Sequence, residues 1–475
     1  MKRGQWQNLT AHHILNILTT KMETYNTTDR FLDCLEEIVT KGLSQDDLHQ
    51  AKRCFLDYLG ATLAGAKMLG NRGLSLVGMM EASKGQGCSS VIGFHTMASL
   101  HTASFVNGLS AHTAELDDGV ISGIIHPGAP VFSGLLPVME RYNVDSYLFY
   151  LGAVVGYEVS VRLANAIQPS HKVLGYHASA TCGMIGTAMG IAVMLGYNRQ
   201  ELKDTFACAL ASAHGTLKVL EDDSELKPFN IATASSDGLV AALMGKAGFK
   251  GADDPLEGYS GFFAQFSKTV DKQKLWRNEN GKLAIYDVYV KPYAACRYCH
   301  PSIENALIIR GEKGFSVEDI EHIDIETYSL AVNKHDHTIV NNISSAKMSI
   351  PFATAVSLCL GSASVDAYCE ESIHDQAISD LMKKISVAPN DDFSSKFPQL
   401  SIATMVVKCA DGRTFESRTE QPKGEAAFPL SDKELMEKFV SLAIFYGMNE
   451  EKARQLSNSI LYDSSNAVTD FVKLL

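Results

Sequence analysis

Asp46-Asp47-Leu-His-Gln-Ala-Lys-Arg-Cys-Phe-Leu-Asp-Tyr-Leu-Gly-Ala-Thr-Leu-Ala-Gly65 is the stretch whose reading decides the fold. Its apolar residues fall at 48, 51, 55, 58, 59 and 63, the three- and four-residue steps of a helix with one buried face. Segments 98–116, 130–142, 146–167, 178–196, 200–214 and 231–247 read as helices too. Many are rich in Ala and Gly on both faces, as in helices that pack closely inside a large bundle. The texture changes near 271. A charged stretch, 271–282, leads into strand-like runs at 284–290, 320–328 and 401–408, the last followed by a turn signal at Ala410-Asp411-Gly412-Arg413. Helices are expected between them, at 301–311 and 348–360, and helical periodicity returns from Ser431. The expected architecture is mainly α: a large helical domain from residues 1–270 plus 429–475, with an α+β module inserted over 271–428.

Composition narrows the function. The chain has 475 residues, long enough for more than one core. It carries 42 Lys and Arg against 54 Asp and Glu, a formal net charge of -12, which argues against a general nucleic-acid or anionic-membrane binder. A small anionic substrate remains compatible, because local cationic pockets persist in an acidic protein. The opening Met1-Lys-Arg-Gly-Gln-Trp has no apolar stretch behind its charges, so a secretory signal is not expected. The 178–198 run lacks charges and His, but its four glycines, with Ser179, Thr181 and Thr187, suit a buried helix better than a membrane span. Ten scattered cysteines suit free thiols in a cytoplasmic protein.

Four constellations could carry chemistry. In His112-Thr-Ala-Glu115-Leu-Asp117-Asp118-Gly119, His112 and Glu115 are expected on one helix face, ahead of a loop to His126-Pro127-Gly128. The same residues also read as a solvated turn with a surface His. His177 precedes the small-residue helix, a position that favours a neutral imidazole or an anion site, though it also suits a cap. Lys227 precedes a Pro able to open a helix, where an ammonium can help hold a carboxylate. Lys291-Pro-Tyr-Ala-Ala-Cys296-Arg297-Tyr298-Cys299-His300 sets two cations at an expected strand end. Its single Cys-x-x-Cys has no second pair to complete a zinc site, so no metal ligands are assigned. The sequence has no P-loop, dinucleotide-binding glycine fingerprint, Gly-x-Ser-x-Gly elbow or His-Glu-x-x-His.

Taken in order, Leu56-Asp57-Tyr-Leu-Gly60, Asn107-Gly108, His112 to Asp118, His126-Pro127, Gly175-Tyr176-His177, Lys227-Pro228, Lys291-Pro-Tyr to Arg297, Ala346-Lys-Met-Ser-Ile-Pro351-Phe352 and Pro429-Leu-Ser-Asp resemble the MmgE/PrpD family. Its members dehydrate 2-methylcitrate, decarboxylate cis-aconitate or epimerise iminodisuccinate. The resemblance implies a large all-helical domain built from both ends of the chain, with the α+β module as an inserted lid domain, and a homodimeric lyase without metal or organic cofactor, acting on a small di- or tricarboxylic acid. A dehydratase is the leading expectation, a decarboxylase or epimerase the alternatives. A non-catalytic carboxylate-binding protein is the reading from another class. Carried over, His126, His177 and Asp117 are the expected catalytic residues, with His126 the principal one, and Lys227, Lys291, Arg297, Glu115 and His112 the expected substrate-binding ones. The chain departs from the decarboxylase pattern, which has Thr where Gly119 stands and a pocket Tyr where Phe352 stands. Its loop to His126 is also one residue longer.

Overall fold

The computed structural model describes residues 26–81, 87–221, 224–276 and 281–463, with residues 468 and 472. The opening six residues lie outside this range. The longer helices are α1 (Thr27–Lys41), α2 (Gln45–Met80), α3 (Leu100–Thr113), α4 (Gly128–Tyr142), α5 (Ser146–Ile167), α6 (Ala178–Met194), α7 (Arg199–Ala211), α8 (Lys227–Lys246), α9 (His300–Arg310), α10 (Ile350–Leu360), α11 (Asp432–Tyr446) and α12 (Glu450–Tyr462). The protein is mainly α. Among the described residues no helix is long and apolar enough to cross a membrane.

Helix α2 opens with Ser44 and Asp47 in a reciprocal capping box and kinks at Gly70, whose φ of 48° lies in the left-handed region. The expectation of one buried face is too modest. From Cys54 to Ala66 every residue is buried. Phe55, Leu59 and Leu63 enter the large core formed with α4, α5, α6 and α11, while Ala61 and Ala64 enter a second core with α9 and α10. The small residues make this central position possible. A Cβ on Gly65 would run into the carbonyl of Ser110 on α3. Helix α6, the run without charge, is buried along its whole length and contacts α5 through facing glycines, Gly186 against Gly156 and Gly190 against Gly152.

Strands β1 (Ser89–Val91) and β2 (Thr96–Ala98) form a small hairpin. The larger sheet has β3 (Ile320–Thr327), β4 (Ile385–Pro389), β5 (Ala403–Cys409) and β6 (Thr414–Thr419) in the order β4-β3-β5-β6. Strand β4 is parallel to β3, and the other pairs are antiparallel. Ile323 and Ile325 of β3 point into the second core against α9 and α10, as the alternating pattern requires. The β5–β6 turn closes through the Cys409 N–H to the Arg413 carbonyl, 2.9 Å. From these two cores we propose the division near 428, with α11 and α12 returning to the first: Leu435, Phe439 and Ile460 lie in the large core. The cores do not carry the expected boundary at 271, because Leu275, Ala284, Ile285 and Val288 also lie in the large one.

Two local expectations are corrected. The 284–290 run is no strand but a 3₁₀ turn, Ala284–Tyr286, followed by one bridge between Tyr289 and Gly119. Side chains serve its backbone instead of a ladder: Glu158 accepts the Ala284 N–H, and Gln50 Nε2 donates to the Ile285 carbonyl at 3.0 Å. Helix α3 stops at Thr113, so His112 and Glu115 do not share a helix face. Lys347 ends it, donating to the Thr113 and Ala114 carbonyls at 3.2 and 3.1 Å. Glu115 then turns to a φ of 56°.

Gly65→Ala should destabilise the fold by about 1–3 kcal/mol, since the new methyl overpacks the α2–α3 contact. A denaturant titration should show the midpoint falling; an unchanged midpoint would mean that the two helices are not held this close.

Candidate functional site

The turn after α3 brings the sequence-predicted residues together. Glu115 is buried, and its carboxylate receives the Lys227 ammonium on Oε1 and the Lys291 ammonium on Oε2, the latter at 3.1 Å. Lys227 is the first residue of α8, ahead of Pro228, as its sequence position suggests. Burial would raise the Glu115 carboxyl, but the two ammonium groups outweigh it and hold it well below the carboxylate range. Asp117 is buried beside it. Burial opposes its ionisation too, but His112, His126 and Lys291 hold it low. Burial would lower Lys291, and Glu115 and Asp117 raise it instead. The His112 ring fits between the two acids, Nδ1 at 2.8 Å from Asp117 and Nε2 at 3.4 Å from Glu115.

His126 and His177 differ in a way that decides their chemistry. His126 Nδ1 lies 2.6 Å from the Asp118 carbonyl. A carbonyl only accepts, so Nδ1 carries the hydrogen and Nε2 keeps a lone pair. His177 Nδ1 lies 3.2 Å from Asn230 Nδ2, which also donates to the Thr216 carbonyl at 3.1 Å. The second contact fixes the amide orientation, so His177 Nδ1 accepts and its Nε2 carries the hydrogen. Burial, reinforced by Lys291, His112 and Lys227, pushes the His126 imidazole down to about 3 against the pull of Asp117. Burial, helped by Lys227, puts His177 well below the ordinary range. His177 is the residue before α6, as expected, although burial and cationic neighbours suffice to lower it. The site therefore pairs a neutral acceptor with a neutral donor.

One cavity collects His126, His177, Lys227, Arg297 and Tyr289, with apolar walls from Val120, Ile121 and Leu217. Not every expected residue reaches it. Glu115, Asp117, His112 and Lys291 lie in a layer behind; Lys291 is 0% exposed. Arg297 borders the cavity, but its donors are committed. Nε and Nη2 bind Glu425 at 3.0 and 2.7 Å, Nη1 reaches His300 and the Lys423 carbonyl, and Nη2 also reaches the Pro422 carbonyl. Phe352 is packed against Tyr368 in the second core, away from the cavity. Cys299 is buried and burial raises its thiol, while Cys296 lies at the cavity wall. All ten cysteines are free thiols. His112, Asp117 and His126 offer ligand atoms within 4.8 Å of one another, a spacing a cation could use. The Lys291 ammonium, 3.9 Å from Asp117, already provides positive charge there, and His126 Nδ1 is bound to a carbonyl.

Several residues at the site are assigned no role from the sequence. Asn230 is three residues after Lys227, hence on the same face of α8, and that spacing was available as a signal. Asp118 accepts from Tyr157 Oη at 2.5 Å and the Gly128 N–H at 3.0 Å, yet burial pushes its carboxyl up to about 7. Lys347, buried behind Glu115, is pushed down to about 7 by burial. Tyr289 folds over Gly119, whose missing Cβ leaves room for the phenol hydroxyl. Lys172 also borders the cavity.

A mainly helical protein whose cavity joins two neutral imidazoles to a lysine, over a buried carboxylate layer, is the class these features define. The chain belongs to the MmgE/PrpD family: the MmgE/PrpD N-terminal domain matches residues 30–274 and the MmgE/PrpD C-terminal domain residues 293–461. It is similar to a cis-aconitate decarboxylase-like protein, oryM, of Aspergillus oryzae, 24% identical over 95% of this chain and 97% of the relative. It is also similar to the cis-aconitate decarboxylases of Mus musculus, 23% identical, and Homo sapiens, 24% identical, each over 87% of this chain and 86% of the relative.

Gly119→Ala should displace the Tyr289 ring and lower activity, and adding Tyr289→Ala should relieve the clash. A double-mutant cycle on thermal stability checks it: additive losses would place the two residues out of contact.

Proposed function

We propose that the protein is a lyase acting next to a carboxylate of a small di- or tricarboxylic acid, and that its reaction is the removal of water from a β-hydroxy acid of the 2-methylcitrate type. The observation that carries this reading is the opposite polarity of the two Nε2 atoms bordering one cavity. Lys227 binds the carboxylate beside the reacting carbon and stabilises the charge that develops on it. His126 Nε2 takes the proton from that carbon. His177 Nε2–H donates a hydrogen bond to the leaving oxygen, as a neutral imidazole electrophile can. The C–H and C–O bonds break, a C=C bond forms, and the proton held by His126 leaves with the hydroxide as water. Glu115, Asp117, His112 and Lys291 hold these groups in position and balance their charge. In this reading Arg297 positions the 422–425 turn rather than substrate.

Decarboxylation is the second reading, favoured by the names of the three relatives. The same Lys227 and His177 serve it: Lys227 anchors one carboxylate, another leaves as CO₂, and the electron pair left on carbon takes the His177 Nε2 proton, which solvent then replaces.

The test is incubation with 2-methylcitrate, citrate, cis-aconitate and iminodisuccinate, followed by mass analysis and NMR. Loss of one water from a β-hydroxy acid is expected; loss of CO₂ from cis-aconitate would replace the first reading by the second. On the substrate found, His126→Ala should lose about 10²–10⁴-fold in rate while remaining folded. A base works unprotonated, so activity that depends on His126 should persist as pH falls past the ordinary imidazole value of about 6.5 and fail only toward its lowered one. Full activity in His126→Ala with loss in His177→Ala would reverse the roles.

A further inference from the structure

The charges around the cavity are nearly all spoken for. Lys227 and Lys291 face Glu115, with Asp117 close by, and Arg297 is bound to Glu425. Two carboxylates thus meet two ammonium groups before any substrate enters. A polycarboxylate adds negative charge to this balanced set, and burying it needs a further cation. Lys347 cannot reach it: its ammonium is turned to the Thr113 and Ala114 carbonyls behind the cavity.

Lys172 can. It stands on the short helical turn Ser170–Val173, and its side chain borders the cavity that His126, His177 and Lys227 share. Among the described residues no carboxylate lies within ion-pair distance of it. Its ammonium donates to Tyr298 Oη at 2.7 Å and sits 4.4 Å from the centre of that ring, which leaves two N–H groups unspent. The turn is fixed from three sides. Gln168 Oε1 accepts the Lys172 N–H at 3.1 Å, and the neighbouring His171 ring bonds the Phe266 carbonyl at 2.9 Å and Thr181 Oγ1 at 3.1 Å. Tyr298 is held in turn by ring contacts with Tyr328 and His335. Burial lowers the Lys172 ammonium to about 8, so it remains largely charged at neutral pH while paying part of a desolvation cost that a bound anion would offset.

We propose that Lys172 is a specificity-determining residue that binds a second substrate carboxylate, remote from the one held by Lys227, and so selects tricarboxylates over dicarboxylates. This rests on the lyase reading for the identity of the pocket, but its test need not involve turnover. Tricarballylate, which has three carboxylates and no hydroxyl to lose, and glutarate, which has two, are titrated calorimetrically into the wild type, Lys172→Met and Lys172→Arg. The wild type should prefer tricarballylate. Lys172→Met should erase that preference by about 10- to 150-fold, the worth of one charge-assisted contact, and Lys172→Arg should restore most of it. A preference unchanged in Lys172→Met, equal weakening of both acids, or no binding of tricarballylate to the wild type would each overturn the proposal. A protein that binds tricarballylate through Lys172 but turns over none of the acids would keep this inference and lose the lyase reading; turnover of a tricarboxylate unaffected by Lys172→Met would do the reverse.

Discussion

Glu115 between two lysines is the constraint on which the site depends. Its partners come from distant parts of the chain, the start of α8 and the segment after the Tyr289 bridge. Buried charges cost several kcal/mol each to desolvate, so such a group persists only where all its partners are in place. Removing one member leaves an uncompensated buried charge, typically worth about 3–5 kcal/mol. The network ties the turn after α3 to the start of α8 and to Lys291 through one carboxylate. The left-handed backbone of Glu115 and the Lys347 ammonium that ends α3 serve the same placement.

The tautomers of the two histidines follow from this buried, charge-balanced floor. Burial keeps His126 and His177 neutral, and the groups behind them, a carbonyl for one and an amide N–H for the other, dictate which ring nitrogen holds the hydrogen. Neither backbone fold nor motif could do that without these second partners. The helical body holds this arrangement from below: Lys438 on α11 pairs with buried Asp57 on α2 at 2.5 Å and donates to the Leu116 carbonyl at 2.8 Å. Stretches at both ends of the fold thus converge on the same turn.

Much of this was legible in the sequence because the signals were strong and local. The helical periodicity of 46–65, the alternation of β3 and the charge-free run of α6 each specify an element, and each element formed. His126, His177, Lys227 and Glu115 were legible as a set through the ordered motifs. What escaped depends on distant partners. The β-like run at 284–290 is satisfied by Glu158 and Gln50 side chains, which no local pattern reveals. Arg297 reads as a free cation until Glu425 and the 422–423 carbonyls are seen around it. Lys172 carries no local signal, and only the fold lays its turn against Tyr298.

The central claim is that two neutral imidazoles of opposite tautomer face one cavity, and imidazole ¹⁵N NMR measures it directly. Spectra of protein labelled at histidine, assigned by His126→Gln and His177→Gln, should show His126 as the Nδ1–H tautomer and His177 as the Nε2–H tautomer, both neutral at pH 7. A protonated ring at either position, or the same tautomer at both, would contradict the account.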